Sequence, residues 1–406
     1  MSRLLEIVAP TRFGPDFRRL LASSWVTNAG DGISLAAGPL LVASQTRSPL
    51  LVASAALLNR LPWLIFGLYA GAVADRVDRR RLVAMADLAR AVVLAVLCCF
   101  ILVGRVDIAV VLAAMVLLGV AEVFGDTTAG TLPPMLVERE HLGEANASLQ
   151  ASVLVGNQLL GPPLGAALFA AGMAVPFVTQ GVCAALGALL LLRLSVRRPP
   201  ERSAAVARPR TEILEGLRWL AGHSAVRTLV VVILTFNVTW GAAWSVLVLW
   251  AQERLHAGEF EYGLLITATA AGGLVATFGF RWLSRRASYE LLMKTCLTCE
   301  VLMHGILALT TAYWLAFVVM FGFGLYAFVW ATISQTIRQR AVPEQFQGRV
   351  SSVYMVGIFG GLVLGQAIGG VIADHFGLVA PFWFAFAGSG LTLALVWPQL
   401  AHVARE

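Results

Sequence analysis

Charged residues are scarce in this chain: Asp, Glu, Lys and Arg make up 13% of its 406 residues, whereas hydrophobic residues make up 58%. A soluble domain of this length cannot bury so much apolar surface, which excludes a soluble protein. Lysine is almost absent, since Lys294 is the single one, and the chain has no nucleotide-binding P-loop. We therefore expect neither ATP hydrolysis nor enzyme activity, because no nucleophile–base constellation stands in its place.

Cysteine is also scarce, and it carries no predicted chemistry. All five cysteines fall inside apolar segments. Cys296 and Cys299 have the spacing of a redox motif, but no second pair accompanies them, so the pattern favours small packing residues. We expect no disulfide, no metal site and no cofactor.

Long apolar segments dominate what is present, and the mean hydropathy is +0.79. Segments of roughly 20 apolar residues require lipid, and each must be helical because backbone groups in hydrocarbon need internal partners. The sequence therefore predicts an all-α membrane protein with twelve transmembrane helices. The predicted spans are 18–44, 50–74, 82–104, 107–131, 145–171, 174–195, 226–250, 261–283, 288–311, 313–337, 350–373 and 378–399.

The basic residues indicate how the chain is oriented. The net charge is +7, but the arginines stand at the ends of apolar spans, so nucleic acid is not an expected partner. With the N-terminus inside, only Arg47, Arg105 and Arg254 fall in external loops. This bias predicts a multi-pass protein of the cytoplasmic (inner) cell membrane with both termini cytoplasmic.

The chain divides in the middle. Residues 196–225 form the one long predicted loop and contain an amphipathic segment over 212–220, which predicts a cytoplasmic linker at the membrane surface. Residues 1–195 and 226–406 then form an N-terminal and a C-terminal six-helix bundle. A faint parallel repeat relates the halves. It aligns Val137, Gly143, Gly156 and Gly165 with Val342, Gly348, Gly361 and Gly370.

A charged string lies between the second and third spans. It reads Gly71-Ala-Val-Ala-Asp75-Arg76-Val-Asp78-Arg79-Arg80-Arg81. This string resembles the cytoplasmic loop signature of the major facilitator superfamily, G-x3-D-R-x2-R-R, with Asp78 where most members have glycine. The resemblance implies a transporter with the major facilitator fold, twelve helices in two six-helix pseudo-repeats, and the superfamily expectation of a monomer.

Further strings extend this resemblance. Gly156, Gly161, Pro162 and Gly165 of span five are similar to the antiporter motif of facilitator exporters, with Ala166 replacing its last glycine. The proline bends the helix, and the glycines allow close backbone approach. Residues 132–147 and 335–350 resemble loops of the drug:proton antiporter branch, which includes macrolide-efflux and enterobactin exporters.

The charges around the first loop are predicted to form a cytoplasmic gate. Asp75 is placed to accept hydrogen bonds from a helix of the other half, or to pair with Arg76 or Arg79, in the outward-open state. For Arg80 and Arg81, a role in membrane insertion alone is the alternative. Charges on spans three and four assist the gate, with substrate contact as the alternative. The predicted gate residues are Gly71, Asp75, Arg76, Arg79, Arg80, Asp87, Arg90 and Asp126.

Ionisable residues inside the spans are costly and are candidates for function. At about 1.5 Å per residue, Asp31 of span one and Arg60 of span two both lie about 20 Å above the cytoplasmic boundary, which predicts that they pair. We expect Asp31 to carry a proton, with a permanent ion pair as the alternative. Glu300 and His304 on span nine form a second proton site or interhelical hydrogen bonds. The predicted proton-coupling residues are Asp31, Arg60, Glu122, Glu300 and His304.

Amide and aromatic side chains within the spans predict a cavity for large amphipathic organic molecules, cations in particular. The candidates are Asn28, Asn157, Gln158, Phe236, Asn237, Trp240, Trp244 and Tyr326.

These features predict a proton-coupled secondary active exporter, an antiporter of lipophilic or amphipathic molecules such as drugs. A dedicated exporter of a self-made metabolite or siderophore is the alternative, because the same motifs allow it. The expected partners are a small-molecule substrate, protons and the lipid bilayer.

Overall fold

The structure is a computed structural model that describes residues 13–74, 76–195 and 209–404. These residues are largely helical, and none of them lies in a β-strand. The long helices before the predicted linker are α1 (Gly14–Gln45), α2 (Pro49–Ala74), α3 (Arg79–Leu102), α4 (Ile108–Ala129), α5 (Leu142–Ala171) and α6 (Val175–Leu192). Those after it are α7 (Ser224–Trp244), α8 (Glu259–Arg286), α9 (Tyr289–Leu309), α10 (Tyr313–Ala341), α11 (Glu344–Phe376) and α12 (Ala380–Val396). Short helices span Pro133–Leu136, Arg139–His141, Pro209–Gly222, Leu247–Arg254 and Leu400–Val403.

Within the described residues, 10 helices are long and apolar enough to cross a membrane, namely α2 to α11. The apolar helix α12 has only 17 residues, and α1 has 32 residues but carries the polar Asn28 and Asp31. Large apolar side chains such as Val92, Leu102 and Phe278 are exposed, as expected of a surface that lipid covers. The chain is a multi-pass membrane protein.

Polar residues set the points at which several helices begin. The side chain of Asp78 accepts a hydrogen bond from a backbone N–H at the start of α3, and Asp107 does the same for α4 and Ser288 for α9. Each cap satisfies a donor that a helix start leaves unpaired. Asp78, which replaces the usual glycine of the loop signature, therefore stabilises the start of α3.

Contacts divide the chain into two compact units. Among the described residues, the first unit holds 13–45, 61–195 and 259–263, and the second holds 46–60, 209–258 and 264–404. Two short stretches thus group with the opposite half of the sequence. In the second unit, the stretch 46–60 contacts α11, because a Cβ on Gly370 would meet Ala53 of α2. In the first unit, the stretch 259–263 contacts α5, because a Cβ on Gly263 of α8 would meet Pro162 and Ala166.

Glycine lets paired helices approach closely in both units. A Cβ on Gly32 of α1, or on Gly161 or Gly165 of α5, would overlap the backbone of the facing helix. The same holds in the second unit, where glycines of α11 face the backbone of α7. Those glycines are Gly361, Gly365 and Gly369. The prediction that the glycines of span five allow close backbone approach is confirmed.

The middle of α5 is wider than an α-helix. Residues Val153–Leu160 are π-helical, and Gly161 separates them from Pro162 and Pro163. Pro162 and Pro163 lack a backbone N–H, and each ring clashes with the carbonyl four residues earlier, so a regular α-helical ladder cannot continue through this segment. A π-helical stretch accommodates the mismatch. The segment in which a bend is predicted thus contains a π-helical stretch, and the bend itself stays a prediction.

The predicted span 226–250 is wrong in one respect, because the helix is broken. Helix α7 ends at Trp244, and a separate helix begins at Leu247. Between them the Ser245 hydroxyl donates to the Ala242 carbonyl at 2.8 Å, a local bond that competes with regular helix hydrogen bonding. The short helix is buried, and its Trp250 packs on Phe382 with ring centroids 4.9 Å apart.

The amphipathic segment lies within the helix Pro209–Gly222, which packs inside the second unit. Leu220 is buried in an apolar cluster that includes Val342 and Val350. The Glu215 carboxylate lies 3.0 Å from the Arg349 guanidinium. Residues 196–208 of the predicted linker lie outside the described residues, and its place at the membrane surface stays a prediction.

Candidate functional site

The packing of α6 in the first unit brings buried charges together. Asp87 and Arg90 stand three residues apart on α3 and so share a face of that helix. Helix α6 packs against both α1 and α3. At this contact Gly187 leaves room for its neighbours, since a Cβ there would meet Thr27 of α1 and Asp87 of α3. Asp31 of α1 thereby reaches the charged face of α3.

Arg90 joins two carboxylates. Its guanidinium donates to Asp31 and lies 3.4 Å from Oδ1 of Asp87. The amide of Gln180 on α6 donates to Asp31 at 3.4 Å. The side chains of Arg90 and Asp87 are each 7% exposed, against 25% for Asp31. A single guanidinium balances one carboxylate, so charge balance in this buried cluster calls for one proton or one further cation.

The cluster opens on a cavity of about 590 Å³ in the first unit, a volume typical of small-molecule sites. Glu122 and Asp126 of α4 line the same cavity. Among the described lining residues, the charged ones are Asp31, Asp87, Arg90, Glu122 and Asp126. Four carboxyl groups against one guanidinium favour the binding of protons and cations over anions.

Hydroxyl and amide groups support one wall of this cavity. The hydroxyls of Ser24 and Ser152 are 2.7 Å apart, and the Asn28 amide donates to the Ser24 carbonyl at 2.8 Å. Ser152 directly precedes the π-helical segment of α5. These bonds hold Asn28 of α1 against the widened part of α5, next to Asn157, which also lines the cavity.

A separate polar cluster lies in the second unit. The Tyr326 hydroxyl of α10 donates to Oε2 of Glu300 at 2.8 Å, and Nε2 of His304 lies 3.2 Å from Oε1 of the same carboxylate. His304 and Glu300 are buried. Glu300 therefore contacts both His304, its i,i+4 neighbour on α9, and Tyr326 of the adjacent helix.

The predicted pairing of Asp31 with Arg60 is wrong. Asp31 is instead paired with Arg90, and its other hydrogen-bond partner among the described residues is Gln180. Equal depth along two helices does not decide which helices are neighbours or how each is rotated about its axis. The structure instead brings Asp31 together with Asp87, Arg90 and Asp126, which the sequence assigns to the gate.

The arginines of the charged loop contact helix ends in the first unit. Arg80 donates to the Leu194 carbonyl at 2.5 Å, just beyond α6, and Nε of Arg79 donates to the Ala74 carbonyl at 3.4 Å, at the end of α2. Carbonyl groups at helix ends lack intrahelical donors. Arg80 thus has a structural contact in addition to any part in membrane insertion.

Three further predicted gate residues, Gly71, Asp75 and Arg76, lie at or next to the end of α2 in the sequence. The backbone N–H of Arg76 donates to the Val73 carbonyl at 2.9 Å and closes the turn after α2. A Cβ on Gly71 would meet no neighbouring atom within 4 Å, so no close approach requires glycine there. Asp75 lies outside the described residues, and its part in a gate stays a prediction.

The three glycines of the antiporter motif lie on the face of α5 that meets α1. A Cβ on Gly156 would approach the backbone of Asn28, while Gly161 and Gly165 face Gly32 and Ile33. This contact adjoins the cavity wall formed by Asn28 and Asn157. The part of the motif in favouring export over import stays a prediction.

Of the amides predicted for the substrate cavity, Asn28 and Asn157 line the first-unit cavity, and Gln158 does not. Gln158 is exposed. Successive residues of a helix project in different directions, so the adjacent side chains of Asn157 and Gln158 face different surroundings. Asn237 lies in the second unit, where its amide donates to the Ile233 carbonyl at 2.6 Å.

The aromatic candidates pack on one another within the second unit. Trp240 stacks on Trp244 with ring centroids 4.7 Å apart and on Phe323 at 5.8 Å. Phe236 is buried, and Tyr326 belongs to the Glu300 cluster. Contact of these residues with a substrate stays a prediction.

Sequence reasoning missed Gln180. Its amide contacts Asp31, and its Oε1 is buried with no hydrogen-bond partner among the described residues. The available signal is a lone amide within the otherwise apolar span six, which calls for a polar partner on a neighbouring helix.

Comparison with known sequences places the chain in a family. The sequence profile of the Major Facilitator Superfamily matches residues 20–365 and 240–404. The multidrug efflux pump Tap of Mycolicibacterium fortuitum is 30% identical over 390 residues, which cover 92% of each chain. The enterobactin exporter EntS of Shigella boydii serotype 4 is 25% identical over 399 residues, 97% of this chain and 92% of EntS.

Solved structures agree on the fold. A mutant of the nucleoside transporter NupG has a TM-score of 0.78 and 11% identity, covering 95% of this chain and 100% of NupG. An inward-facing bacterial homologue of the iron transporter ferroportin has a TM-score of 0.75 and 18% identity; the match covers 96% of this chain and 99% of the homologue. At such identities the likeness concerns the fold alone. The profile match and the 30% identity to Tap establish that this chain belongs to the Major Facilitator Superfamily of membrane transport proteins.

Proposed function

We propose that this chain is a proton-coupled exporter of amphipathic organic cations, an antiporter of the cytoplasmic membrane. The observation that carries the proposal is the first-unit cavity of about 590 Å³, in which four carboxyl groups face one guanidinium. Two of those carboxylates, Asp31 and Asp87, share Arg90. Export as the direction of transport is supported by the similarity to Tap and EntS, which are named as exporters.

In the proposed architecture, all of α1 to α12 cross the membrane, as two six-helix pseudo-repeats with both termini in the cytoplasm. The repeated glycine contacts, α1 with α5 and α7 with α11, support the pseudo-repeat. Alternating access then opens the cavity first to one side of the membrane and then to the other. The charged loop near Asp75 serves as the cytoplasmic gate of this cycle.

Coupling in the proposed mechanism is a competition for negative charge. When one proton occupies the Asp31–Arg90–Asp87 cluster, its formal charge is zero; when the proton leaves, the cluster carries one negative charge. An organic cation that enters the cavity supplies the missing positive charge, so substrate and proton exclude each other electrostatically. Exchange follows because an uncompensated buried charge is costly in either conformation.

The charge of the substrate determines what drives this exchange. One proton exchanged for one monovalent cation moves no net charge, so only the pH difference contributes, about tenfold accumulation per pH unit. A neutral substrate also responds to the membrane potential, about 2.3 kcal/mol or roughly 50-fold per 100 mV. Transport of an organic cation by a one-to-one antiporter is therefore independent of membrane potential.

Export of a self-made metabolite or siderophore is the second candidate, and the similarity to EntS favours it. The two candidates differ in the charge they require of the substrate. A catecholate siderophore that carries negative charge would have to enter a cavity whose lining carboxyls outnumber its one guanidinium, which opposes its binding.

The test is transport by the purified protein in liposomes with an imposed pH gradient and no membrane potential. The cationic dye ethidium, the anionic dye fluorescein and a catecholate siderophore are compared at equal concentration. We expect the pH gradient to drive ethidium, with no change when a potential is added, and not to drive either anion. Movement of the siderophore but not of ethidium would replace the first candidate with the second.

A further inference from the structure

The end of α8 carries basic and aromatic side chains close together. Its last residues read Phe278-Gly-Phe-Arg281-Trp282-Leu-Ser-Arg285-Arg286. Arg281, Trp282, Arg285 and Arg286 are all exposed, and these four residues form the α8 cluster. The Arg286 guanidinium lies 4.4 Å from the centroid of the Trp282 ring, a cation–π contact that holds its charge beside an exposed aromatic surface.

An exposed apolar surface leads along α8 to this cluster. Val275, Phe278 and Trp282 are 51%, 79% and 58% exposed, and they share one face because side chains three and four residues apart lie above one another. Helix α8 is long and apolar enough to cross a membrane, so this face is of the kind that lipid covers. Tryptophan is typical of the level at which hydrocarbon meets headgroups. The arginines next to Trp282 therefore lie at the level of lipid phosphates.

The charges of the α8 cluster are not balanced by carboxylates of the described residues. Within that part of the chain, no ion pair joins Arg281, Arg285 or Arg286 to an acidic side chain. The acidic residue that follows them first in the sequence, Glu290, pairs with Lys294 at 2.6 Å. Like charges so close on one helix repel one another. The cluster therefore favours an anionic ligand.

We propose that the α8 cluster binds one anionic phospholipid of the bilayer. Arg281 and Arg285 stand four residues apart, so they present two guanidinium groups on one face, a geometry that suits hydrogen bonds to a phosphate. Arg286 adds a third charge on the Trp282 ring, and one acyl chain packs against Phe278. The occupant is a lipid instead of a soluble phosphate because the cluster adjoins an exposed apolar face. The proposal goes beyond the exporter function and does not depend on it.

The lipid is tested by native mass spectrometry of the purified protein, titrated with phosphatidylglycerol or with phosphatidylcholine of the same acyl chains. Both lipids carry a phosphate, but only phosphatidylglycerol carries a net negative charge. We expect the wild type to bind phosphatidylglycerol more tightly. An arginine near an anionic membrane surface contributes roughly fivefold in affinity, so Arg281→Gln/Arg285→Gln/Arg286→Gln should bind phosphatidylglycerol on the order of 100-fold more weakly. Equal affinities of the wild type for the two lipids would overturn the proposal.

The matched control removes three positive charges that do not lie together. Arg18, Arg218 and Arg340 are exposed and stand on three different helices. Arg18→Gln/Arg218→Gln/Arg340→Gln has the same net charge as the cluster variant, and it should retain the wild-type preference for phosphatidylglycerol. An equal loss of affinity in both variants would mean that net charge alone attracts the lipid, which would overturn the site.

The source of the phosphate is tested by competition. Inorganic phosphate supplies similar charged oxygens without an acyl chain, so we expect it to leave bound phosphatidylglycerol in place at equal concentration. Displacement of the lipid by inorganic phosphate would assign the cluster to a soluble anion and overturn the proposal. None of these measurements requires transport, so their outcome is separate from that of the exporter function.

Discussion

The substitution Arg90→Met tests the ion cluster by removing its guanidinium. In Arg90→Met, Asp31 and Asp87 lose their shared cation in a site where Asp87 is 7% exposed. Breaking a buried ion pair by removing one partner typically costs about 3–5 kcal/mol, because the other charge is left uncompensated. We therefore expect Arg90→Met to lower the thermal stability of the purified protein by several degrees.

A double-mutant cycle then shows which carboxylate depends on Arg90. In an Arg90→Met background, Asp31→Asn removes an unpaired charge, so it should restore stability instead of reducing it. For contacting residues the coupling energy is about 0.5–3 kcal/mol, and for distant residues it stays within about 0.5 kcal/mol. We expect the larger value for Asp31 with Arg90 and the smaller one for Asp31 with Arg60.

The assay is thermal unfolding, monitored by fluorescence-detected size-exclusion chromatography. All variants are measured at the same pH and detergent concentration. Arg60→Met is the matched control, since Arg60 is the cation that depth along the helices pairs with Asp31. A coupling between Asp31 and Arg60 larger than that between Asp31 and Arg90 would refute the ion cluster. Unchanged stability in Arg90→Met would refute the burial argument.

Two further predictions concern packing. Gly165→Ala should reduce the yield of folded protein sharply, because its methyl group would overlap the backbone of Ile33. Gly143→Ala is the control: it lies in open space on the same helix and should leave the size-exclusion profile unchanged. Equal yields of the two variants would contradict the α1–α5 contact. Leu220→Ala should cost about 2–5 kcal/mol in unfolding free energy through loss of buried contacts. Glu215→Ala should lower the free energy of unfolding by less than about 1 kcal/mol, since its ion pair with Arg349 is half-exposed. A larger loss for Glu215→Ala than for Leu220→Ala would contradict the packing of the amphipathic helix.

The features that were predictable from sequence are those that a single helix determines. The apolar spans, the glycine face of α5, and the contact between Glu300 and His304 each follow from periodicity within one segment. The same applies to the amphipathic helix, whose position over 212–220 agrees with the observed Pro209–Gly222.

The features that sequence did not reveal depend on which helices are neighbours. Arg90 and Arg60 are equivalent in type, and only the packing of α6 against both α1 and α3 decides that Arg90 meets Asp31. The break after Trp244 is likewise a tertiary effect, because burial of Trp250 against Phe382 accompanies it. Such preferences override local helix propensity.

Gradient-driven transport by carboxylate variants tests the central claim most directly. Liposomes with wild type, Asp31→Asn or Asp87→Asn are assayed for ethidium transport driven by a pH gradient and for ethidium exchange without one. Asp107→Asn is the matched control, because Asn also caps a helix and Asp107 caps α4. We predict that both cluster variants lose gradient-driven transport and retain exchange, while the control keeps both. Gradient-driven transport at the wild-type rate in both cluster variants would contradict the account.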